Sequence, residues 1–468
     1  MNRIILSRRI WIFVISLLII LSILASGGCT QATQPSPLIP PTSLPSQINT
    51  PVSSSTNTPA TALPSQESAK KPVTISFMAW GAPEELAVWQ QIVDDFQLAN
   101  PTIKVNVEVA DWESYWTKLK TLLAGGTPPD VFAMDAPLYL DYQSRGVLLN
   151  LQPYIDKTSG LLDGFYPVTL EAYKLSDGYY GLPRDFQTIV LFYNKDMFDK
   201  SGMAYPTADW TYDDLRTAAK SLTLDVNGDG TIDQWGLSTD LWDMELFWSE
   251  AIWSWGGEVI NADHTKTLLG EPIARQAWQF MYDMMWTDHS IPDPNTSGQY
   301  GTDLFQAGIA AMTTIGHWAV PGYATVEFKW DVAPMPTSPT GGRVTSVNSA
   351  GFVAATASQH PDEAWEFIKY CLSQAGQTRL TELGLAIPVL KSVAESPVFL
   401  QQTMVDINQQ VFLDSLSFAR MKPVFRGYEE WSAVVGDGMT PIWLGEADLN
   451  STLDSVVPQA DEVLANNQ

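Results

Sequence analysis

A short stretch of the chain, residues 225–233, spaces oxygen-bearing side chains as calcium loops do. Positions 1, 3, 5 and 9 are Asp, Asn, Asp and Asp, with glycine at position 6 for the sharp turn. Position 12 is Gly236 instead of the usual bidentate glutamate, so a distant carboxylate would have to complete the ion's shell. The pattern indicates either a structural calcium site or an acidic turn without metal, and in neither case a catalytic metal. The candidate ligands are Asp225, Asn227, Asp229, Thr231 and Asp233.

The chain offers few of the residue patterns on which enzymes depend. Its four histidines form no zinc-binding His-Glu-x-x-His motif, and there is no Gly-x-Ser-x-Gly elbow, P-loop or dinucleotide fingerprint. The paired carboxylates of a glycoside hydrolase are harder to exclude, because 52 acidic residues leave many spacings open. A secreted glycoside hydrolase therefore stays an alternative at this point.

Charge and aromatic content narrow the class of ligand. The chain has 26 Lys and Arg against 52 Asp and Glu, a formal net charge of -26. Nucleic acids and anionic lipid surfaces need basic stripes, so both are poor partners for it. It also carries 18 Trp, 16 Tyr and 18 Phe. Tryptophan is demanding in a core because its N–H needs a partner, so this surplus suggests an aromatic-lined site.

The first residues read as a secretion signal. Basic residues precede the apolar run 10–24, which is short for a membrane span of roughly 20 residues. Small residues then lead to Cys29, which resembles a bacterial lipobox with Ser26 in place of the usual leucine. We predict a signal peptide over residues 1–28 and a lipid anchor at Cys29. An uncleaved anchor helix is the alternative, and Arg8-Arg9 leaves the export route open between the general secretory and twin-arginine pathways.

Residues 29–72 are rich in Pro, Ser and Thr, and we expect them to form a disordered, semi-extended linker. With Cys29 used for the anchor, only Cys371 remains, so no disulfide framework is expected. Its helical, apolar surroundings predict a buried thiol. The globular body begins near residue 73.

Strand and helix patterns alternate in this body. Residues 73–77 and 103–109 alternate between apolar and polar types, which predicts strands, and residues 131–134 form a short apolar strand. Residues 86–96 and 115–123 between them have helical spacing. The rhythm predicts an α/β fold with a largely parallel sheet, in which ligands lie at the carboxyl ends of strands. Trp80 and Asp135 stand at such ends.

Several segments in a fixed order carry a resemblance to a known family. They are residues 125–131 (GGTPPDV), 180–183 (YGLP) with 191–198 (LFYNKDMF), 255–258 (WGGE), 305–318 (FQAGIAAMTTIGHW) and 361–367 (PDEAWEF). From residue 73 onward the chain resembles the extracellular solute-binding proteins of ABC importers that bind sugars and oligosaccharides.

The resemblance implies a two-lobe, type II periplasmic-binding-protein-like fold with a ligand cleft at a hinge. One lobe would hold residues 73–183 and 330–385, and the other residues 184–329 and 386–468. It further implies a monomer that delivers its ligand to an ABC permease, without enzymatic activity and without a cofactor for its function. The protein would work outside the cytoplasm, held at the membrane by the lipid.

A pyranose has apolar C–H faces that lie against aromatic rings, and hydroxyl groups that donate to carboxylates and amides. Family position and this chemistry together select the candidate residues. They are Trp80, Glu84, Asp135, Asp185, Trp255, Trp318, Asn348 and Trp431. Each has an ordinary alternative as a core or surface residue. Polyamine and peptide clefts use similar residue types, so a binding protein for another solute also remains open.

Overall fold

The computed structural model describes residues 71–83 and 85–467, and residues 68–468 form one compact unit. The predicted signal peptide, Cys29 and all but the last two residues of the predicted linker lie outside the described residues, as does Glu84. Within the described part, no helix is long and apolar enough to cross a membrane.

Fourteen strands occur in the described residues. They are β1 (Val73–Trp80), β2 (Ile103–Ala110), β3 (Val131–Asp135), β4 (Lys174–Leu175), β5 (Gly178–Tyr179), β6 (Leu182–Pro183), β7 (Asp185–Thr188), β8 (Val190–Asn194), β9 (Met312–Ile315), β10 (Trp330–Ala333), β11 (Thr345–Asn348), β12 (Ala350–Ala354), β13 (Ile387–Pro388) and β14 (Ala419–Met421).

Helices fill most of the remaining chain. The α-helices are Glu85–Ala99, Trp112–Ala124, Tyr139–Ser144, Gln152–Ile155, Pro167–Glu171, Lys195–Ser201, Tyr212–Leu222, Ser249–Ser254, Pro272–Tyr282, Pro294–Tyr300, Val320–Tyr323, Pro361–Cys371, Gln374–Glu382, Lys391–Ala394, Pro397–Leu400, Gln410–Asp414, Tyr428–Trp443 and Leu449–Asn466. Short 3-10 helices span Ala136–Leu138, His317–Ala319 and Ser415–Phe418, and π-helical turns span Met244–Trp248 and Asp283–Thr287.

The first sheet has the strand order β2-β1-β3-β12-β6. Strand β1 pairs in parallel with β2 from Val73↔Ile103 to Trp80↔Ala110, and in parallel with β3. Every residue of β3 is buried, as are Phe77, Met78 and Ala79 of β1, whereas the first half of β2 alternates between buried and exposed residues. Trp89 of helix Glu85–Ala99 packs edge-on against Phe77, with 4.9 Å between ring centroids. The predicted strand–helix–strand order is therefore confirmed, and the carboxyl ends of β1, β2 and β3 meet at one edge.

A second group of strands forms the sheets β10-β8-β9 and β13-β7-β11-β14. The chain changes from the first sheet to this group between β6 and β7, at Arg184, and returns between β11 and β12, at Ser349. Strands β10 and β11 belong to the second group, because β10 pairs with β8 and β11 pairs with β7. The predicted lobe limits at residues 183 and 330 stay predictions.

Cys371 ends helix Pro361–Cys371 and is a buried free thiol, as the sequence predicts. Burial raises the pKa of this thiol well above its usual value, so it stays protonated at neutral pH.

Candidate functional site

Two predicted site residues meet where the two sheet systems join. Asp135 ends β3 of the first sheet, and Asn348 ends β11 of the second group. The Asn348 amide nitrogen Nδ2 donates to Asp135 Oδ1 at 2.8 Å and to Glu245 Oε2 at 3.2 Å. A single amide therefore connects a carboxylate of each sheet system.

Lys422 offsets part of the negative charge of the carboxylates around Asn348 with its ammonium. It directly follows β14, which lies beside β11, and its Nζ is 2.8 Å from Glu245 Oε2 and 3.5 Å from Asp243 Oδ1. Burial works to lower the pKa of Lys422, but Asp243 and Glu245 outweigh burial and hold this pKa above its usual value. The ammonium is therefore charged, and its hydrogen bonds go to the protein. We call Asp135, Asp243, Glu245, Asn348 and Lys422 the junction network.

The pKa of the Asp135 carboxyl lies near neutral pH. Burial raises its pKa to about 7, Lys422 opposes the rise and Glu245 adds to it. Near neutral pH both forms of the Asp135 carboxyl are therefore populated: the protonated form can donate a hydrogen bond, and the ionised form can only accept one.

Gln187 completes the floor of the site, and sequence reasoning missed it. It lies directly opposite Asn348 in the antiparallel pair of β7 and β11, so both side chains point to the same face. Its Oε1 is buried and has no hydrogen-bond partner among residues 71–83 and 85–467. An unsatisfied buried acceptor is unfavourable by about 1–3 kcal/mol, which a ligand hydroxyl at this point would relieve.

The first predicted aromatic residue, Trp80, belongs to a cluster at the carboxyl edge of the first sheet. Its ring centroid lies 5.1 Å from that of Trp112, 5.3 Å from Tyr115 and 5.7 Å from Trp116. The Arg184 guanidinium lies 5.7 Å from the centre of the Trp80 ring. Trp80 is half-buried, because its ring packs against these neighbours. Trp112 has the more exposed ring of the two.

Trp318, another predicted site residue, is an exposed aromatic on the side of the second group of strands. It lies in the 3-10 helix His317–Ala319, just after β9, and is 41% exposed. Its ring covers Gly316, where an added Cβ would come within 1.9 Å of the indole. Glycine is therefore needed beside Trp318 for the ring to keep this position.

Two predicted aromatic residues lie in the core. Trp431 is fully buried, and its Nε1 donates to Thr267 Oγ1 at 2.9 Å, so it is a core residue and shows no face to a ligand. Trp255 is a core residue too, with its ring centroid 4.6 Å from that of Tyr212. Both expectations are corrected, because aromatic type alone does not tell a core ring from an open one.

Through its carboxylate, Asp185 forms an ion pair with the guanidinium of its chain neighbour, Arg184. Its Oδ2 is 2.6 Å from Arg184 Nε, and its backbone oxygen accepts from Ser349 Oγ at 2.7 Å. These contacts tie together the two segments where the chain changes sheets. Asp185 therefore supports the crossing and lies buried beside the candidate site, instead of presenting a carboxylate to ligand.

The predicted calcium loop does not have a metal-binding arrangement. Asp225 accepts from the backbone N–H groups of Gly228 and Gly230, each at 2.7 Å, and Asp233 accepts from that of Val226 at 3.0 Å. Across the described residues, no group of three or more His, Cys, Asp or Glu side chains could hold a metal ion. The loop carboxylates accept the loop's own N–H groups, and the structure gives the calcium prediction no support.

Two concavities, of about 590 and 440 Å³, are lined by none of the predicted site residues. Contacts also connect the helix Tyr428–Trp443 and the residue before it to the side of the first sheet. Gly427, just before helix Tyr428–Trp443, donates its N–H to Asp141 Oδ1 of the first sheet's side at 2.7 Å, and Glu429 pairs with Lys120. The junction network is accordingly less than a tenth exposed, apart from Asp243.

Two sheet systems, joined by crossing segments and enclosing a polar network, define a two-lobed α/β solute-binding fold. The family model of bacterial extracellular solute-binding proteins matches residues 80–378. This chain belongs to that family. It is a binding protein of the ABC transporter class and not an enzyme, which removes the glycoside hydrolase alternative.

Similar proteins support this placement. A maltotriose-binding protein of Pyrococcus abyssi is 24% identical over 324 residues, which are 67% of this chain and 66% of that protein. A substrate-binding protein of Listeria monocytogenes, solved with cycloalternan, is 26% identical with a TM-score of 0.78, covering 84% of this chain and all of that one. A maltose-bound T. maritima protein, 22% identical, has a TM-score of 0.72 over 83% of this chain and 99% of its own.

Proposed function

We propose that this protein is the substrate-binding component of an ABC importer for a sugar or oligosaccharide. The observation that carries the proposal is the unsatisfied Gln187 acceptor beside the junction network, with the open ring of Trp318 at a neighbouring strand end. A buried acceptor recognises a hydroxyl donor, and an open indole covers an apolar ring face.

The charges of the network favour a ligand that donates hydrogen bonds. Asp135, Asp243 and Glu245 face one cation, and Lys422 is already engaged by two of these carboxylates. The network therefore has acceptors to offer and no unused ammonium for an acidic ligand. Hydroxyl groups of a neutral sugar fit this balance, and we propose Asp135, Gln187, Asn348 and Glu245 as its polar contacts.

We further propose how the lobes work. The first lobe would comprise residues 73–183 and the return segment after Ser349, and the crossings at Arg184 and Ser349 would form the hinge. Ligand would enter between the open lobes, and closure would bring the carboxyl ends of β1 to β3 against the Gln187 face. The closed form would then be recognised by the membrane permease.

Anchoring is proposed from the sequence. Cys29 after the apolar leader would carry the lipid, and the Pro-, Ser- and Thr-rich residues that follow would be the tether. The extracellular character of the family agrees with this location outside the cytoplasm. Mass spectrometry of the intact protein would detect the acylated cysteine, and its loss in Cys29→Ser would be the control.

Calcium in the loop at Asp225 is the part of the sequence-based prediction with least support. We expect a chelator to leave the melting temperature unchanged, because the loop carboxylates accept the loop's own N–H groups. A fall in melting temperature with chelator that added Ca²⁺ reverses would show instead that the loop rearranges around the ion.

The proposed function is tested by a thermal-shift screen of residues 68–468, the compact unit, against monosaccharides, oligosaccharides, polyamines and short peptides. A ligand that binds only the native state raises the melting temperature by mass action. We expect a rise with one sugar class. A rise with only a polyamine or a peptide would keep the binding fold and overturn the sugar assignment.

A further inference from the structure

Three tryptophans differ from all others in the described part of the chain. Trp112, Trp242 and Trp318 are 43%, 42% and 41% exposed, whereas the remaining described tryptophans are buried or half-buried. An exposed indole is unusual on a soluble protein because it leaves a large apolar face in water. Trp318 already belongs to the proposed site, so the question is what Trp112 and Trp242 do.

All three follow the carboxyl end of a parallel-paired segment. Trp112 comes two residues after Ala110, the last residue of β2, which is paired with Trp80. Ser238 bridges in parallel to Thr313 of β9, and the chain then runs on to Trp242 just as β9 runs on to Trp318. The hydroxyls of Thr239 and Thr314 confirm this register, at 2.7 Å. Trp242 and Trp318 therefore both follow segments that end at the same edge of one sheet.

Both unexplained rings are held in fixed positions. Trp112 lies edge-on to Trp80 and Trp116, with centroid distances of 5.1 and 5.3 Å. Trp242 donates its Nε1–H to Asp437 Oδ1 at 3.1 Å, and its ring lies on Gly436, where an added Cβ would come within 2.5 Å. A ring fixed on one side and open on the other is a preorganised contact surface.

Each of the two rings also lies near a member of the junction network, one on each sheet system. Trp242 is followed immediately by Asp243, whose carboxylate lies 3.5 Å from Lys422 Nζ. Trp112 packs on Trp80, and Trp80 ends the strand that neighbours β3, which ends at Asp135. The polar floor thus has an ordered open indole beyond it on each sheet system.

We propose that Trp112 and Trp242 are outer sugar-stacking plates, and that the ligand is therefore an oligosaccharide of several rings instead of a monosaccharide. This inference rests on the proposed function. One pyranose would occupy the Gln187 and Trp318 region, and further rings would lie on the outer indoles, adding contact area without requiring more charged groups.

The test is calorimetric titration of the full-length protein with glucose, xylose and arabinose and with their oligomers of two to four rings. We expect affinity to rise with chain length. Trp112→Ala and Trp242→Ala should each weaken trisaccharide binding by about tenfold and monosaccharide binding by less than about twofold, because a lost ring contact removes about 1.4 kcal/mol.

Leu98→Ala is the matched control, since Leu98 is an exposed apolar residue, 82% exposed, on a helix and away from the strand ends. Trp112→Phe and Trp242→Phe keep a ring and should retain part of the affinity, which separates stacking from a folding defect. Sugar affinity that does not change with chain length would contradict the stacking role of Trp112 and Trp242, as would alanine variants that bind trisaccharide like the wild type. Either result would leave the proposed function unaffected. Absence of binding to every sugar would refute the proposed function itself.

Discussion

Gln187 differs from the polar residues beside it in β7. Its β7 neighbours are committed to the protein: Asp185 faces Arg184, and Thr188 Oγ1 donates to the Phe412 carbonyl at 2.9 Å. Among the described residues Gln187 Oε1 is one of several buried polar atoms without a partner, and it is the one that lies opposite Asn348. Polar atoms in protein interiors are almost always paired, so we propose this acceptor as a ligand contact.

Replacing that acceptor should therefore affect binding more than folding. We expect Gln187→Leu to weaken sugar binding by about tenfold, the loss of roughly one hydrogen bond, with an unchanged or raised melting temperature because a buried unpaired acceptor is removed. Titration calorimetry against the sugar found by the thermal-shift screen measures it. Gln90→Leu, at an exposed helical position, is the control. Unchanged affinity in Gln187→Leu would remove this residue from the site.

Asp135 should give the protein a recognisable pH dependence. Its folded-state pKa of about 7 lies above the usual 3.8, so the folded protein holds this proton more tightly than the unfolded chain does. The contribution of the carboxyl to stability is therefore greatest below about pH 4 and falls as the pH rises towards 7. We expect the melting temperature of Asp135→Asn to improve relative to wild type between pH 5 and 8. A pH-independent difference would contradict the assignment.

At the scale of elements, strand ends decide which side chains reach the site. Parallel pairing brings Trp80 and Asp135 to one edge, and the turn after β9 brings out Trp318. The helix Tyr428–Trp443 instead turns Trp431 into the core, against Phe425 and towards Thr267. A ring on a helix face packed against other helices is buried, whereas a ring in the turn after a strand stays open.

The turn around Trp318 gives a prediction at this scale. Trp318→Ala should weaken sugar binding by more than about tenfold through loss of the ring contact. Gly316→Ala should act in the same direction, because its Cβ would lie 1.9 Å from the indole and force the ring to move. Gly298→Ala has nothing within 4 Å and is the control. Normal affinity in Trp318→Ala would exclude stacking on this ring.

For the whole molecule, the junction network matters because its members come from both sheet systems. Asp135 belongs to the first sheet, Asn348 and Lys422 border the second group, and Glu245 lies in the π-helical turn Met244–Trp248. Buried charges are tolerated only when paired, so these contacts favour one relative placement of the lobes. The network therefore stabilises the arrangement in which the site is enclosed.

Removing the cation should destabilise this arrangement strongly. We expect Lys422→Met to lower the free energy of unfolding by about 3–5 kcal/mol, because Glu245 is left buried without its countercharge. Urea unfolding measures it, and Lys422→Met with Glu245→Gln should recover part of the loss. Lys120→Met breaks the half-exposed pair with Glu429 and should change stability by at most about 1 kcal/mol. Equal effects of the two lysine variants would refute a special role for the network.

The sequence by itself determined the elements and the class of protein. Local periodicity is enough to predict that β1, helix Glu85–Ala99 and β2 follow one another. Strands and helices bury apolar residues at different spacings, and these spacings can be recognised in a short stretch of sequence. The ordered family segments then pointed to the two-lobed fold and to Trp318, and strand ends pointed to Trp80 and Asp135. These predictions need no knowledge of which distant segments touch.

Only the tertiary structure decided which residues form the site. Lys422 and Glu245 are 177 residues apart, and no local pattern marks them as partners. Gln187 becomes notable only because its cross-strand neighbour is Asn348 and its acceptor is unpaired. Trp431 and Trp242 are both tryptophans, yet packing buries one and leaves the other open. Burial and pairing depend on what the rest of the chain brings to a side chain, and sequence spacing does not contain that information.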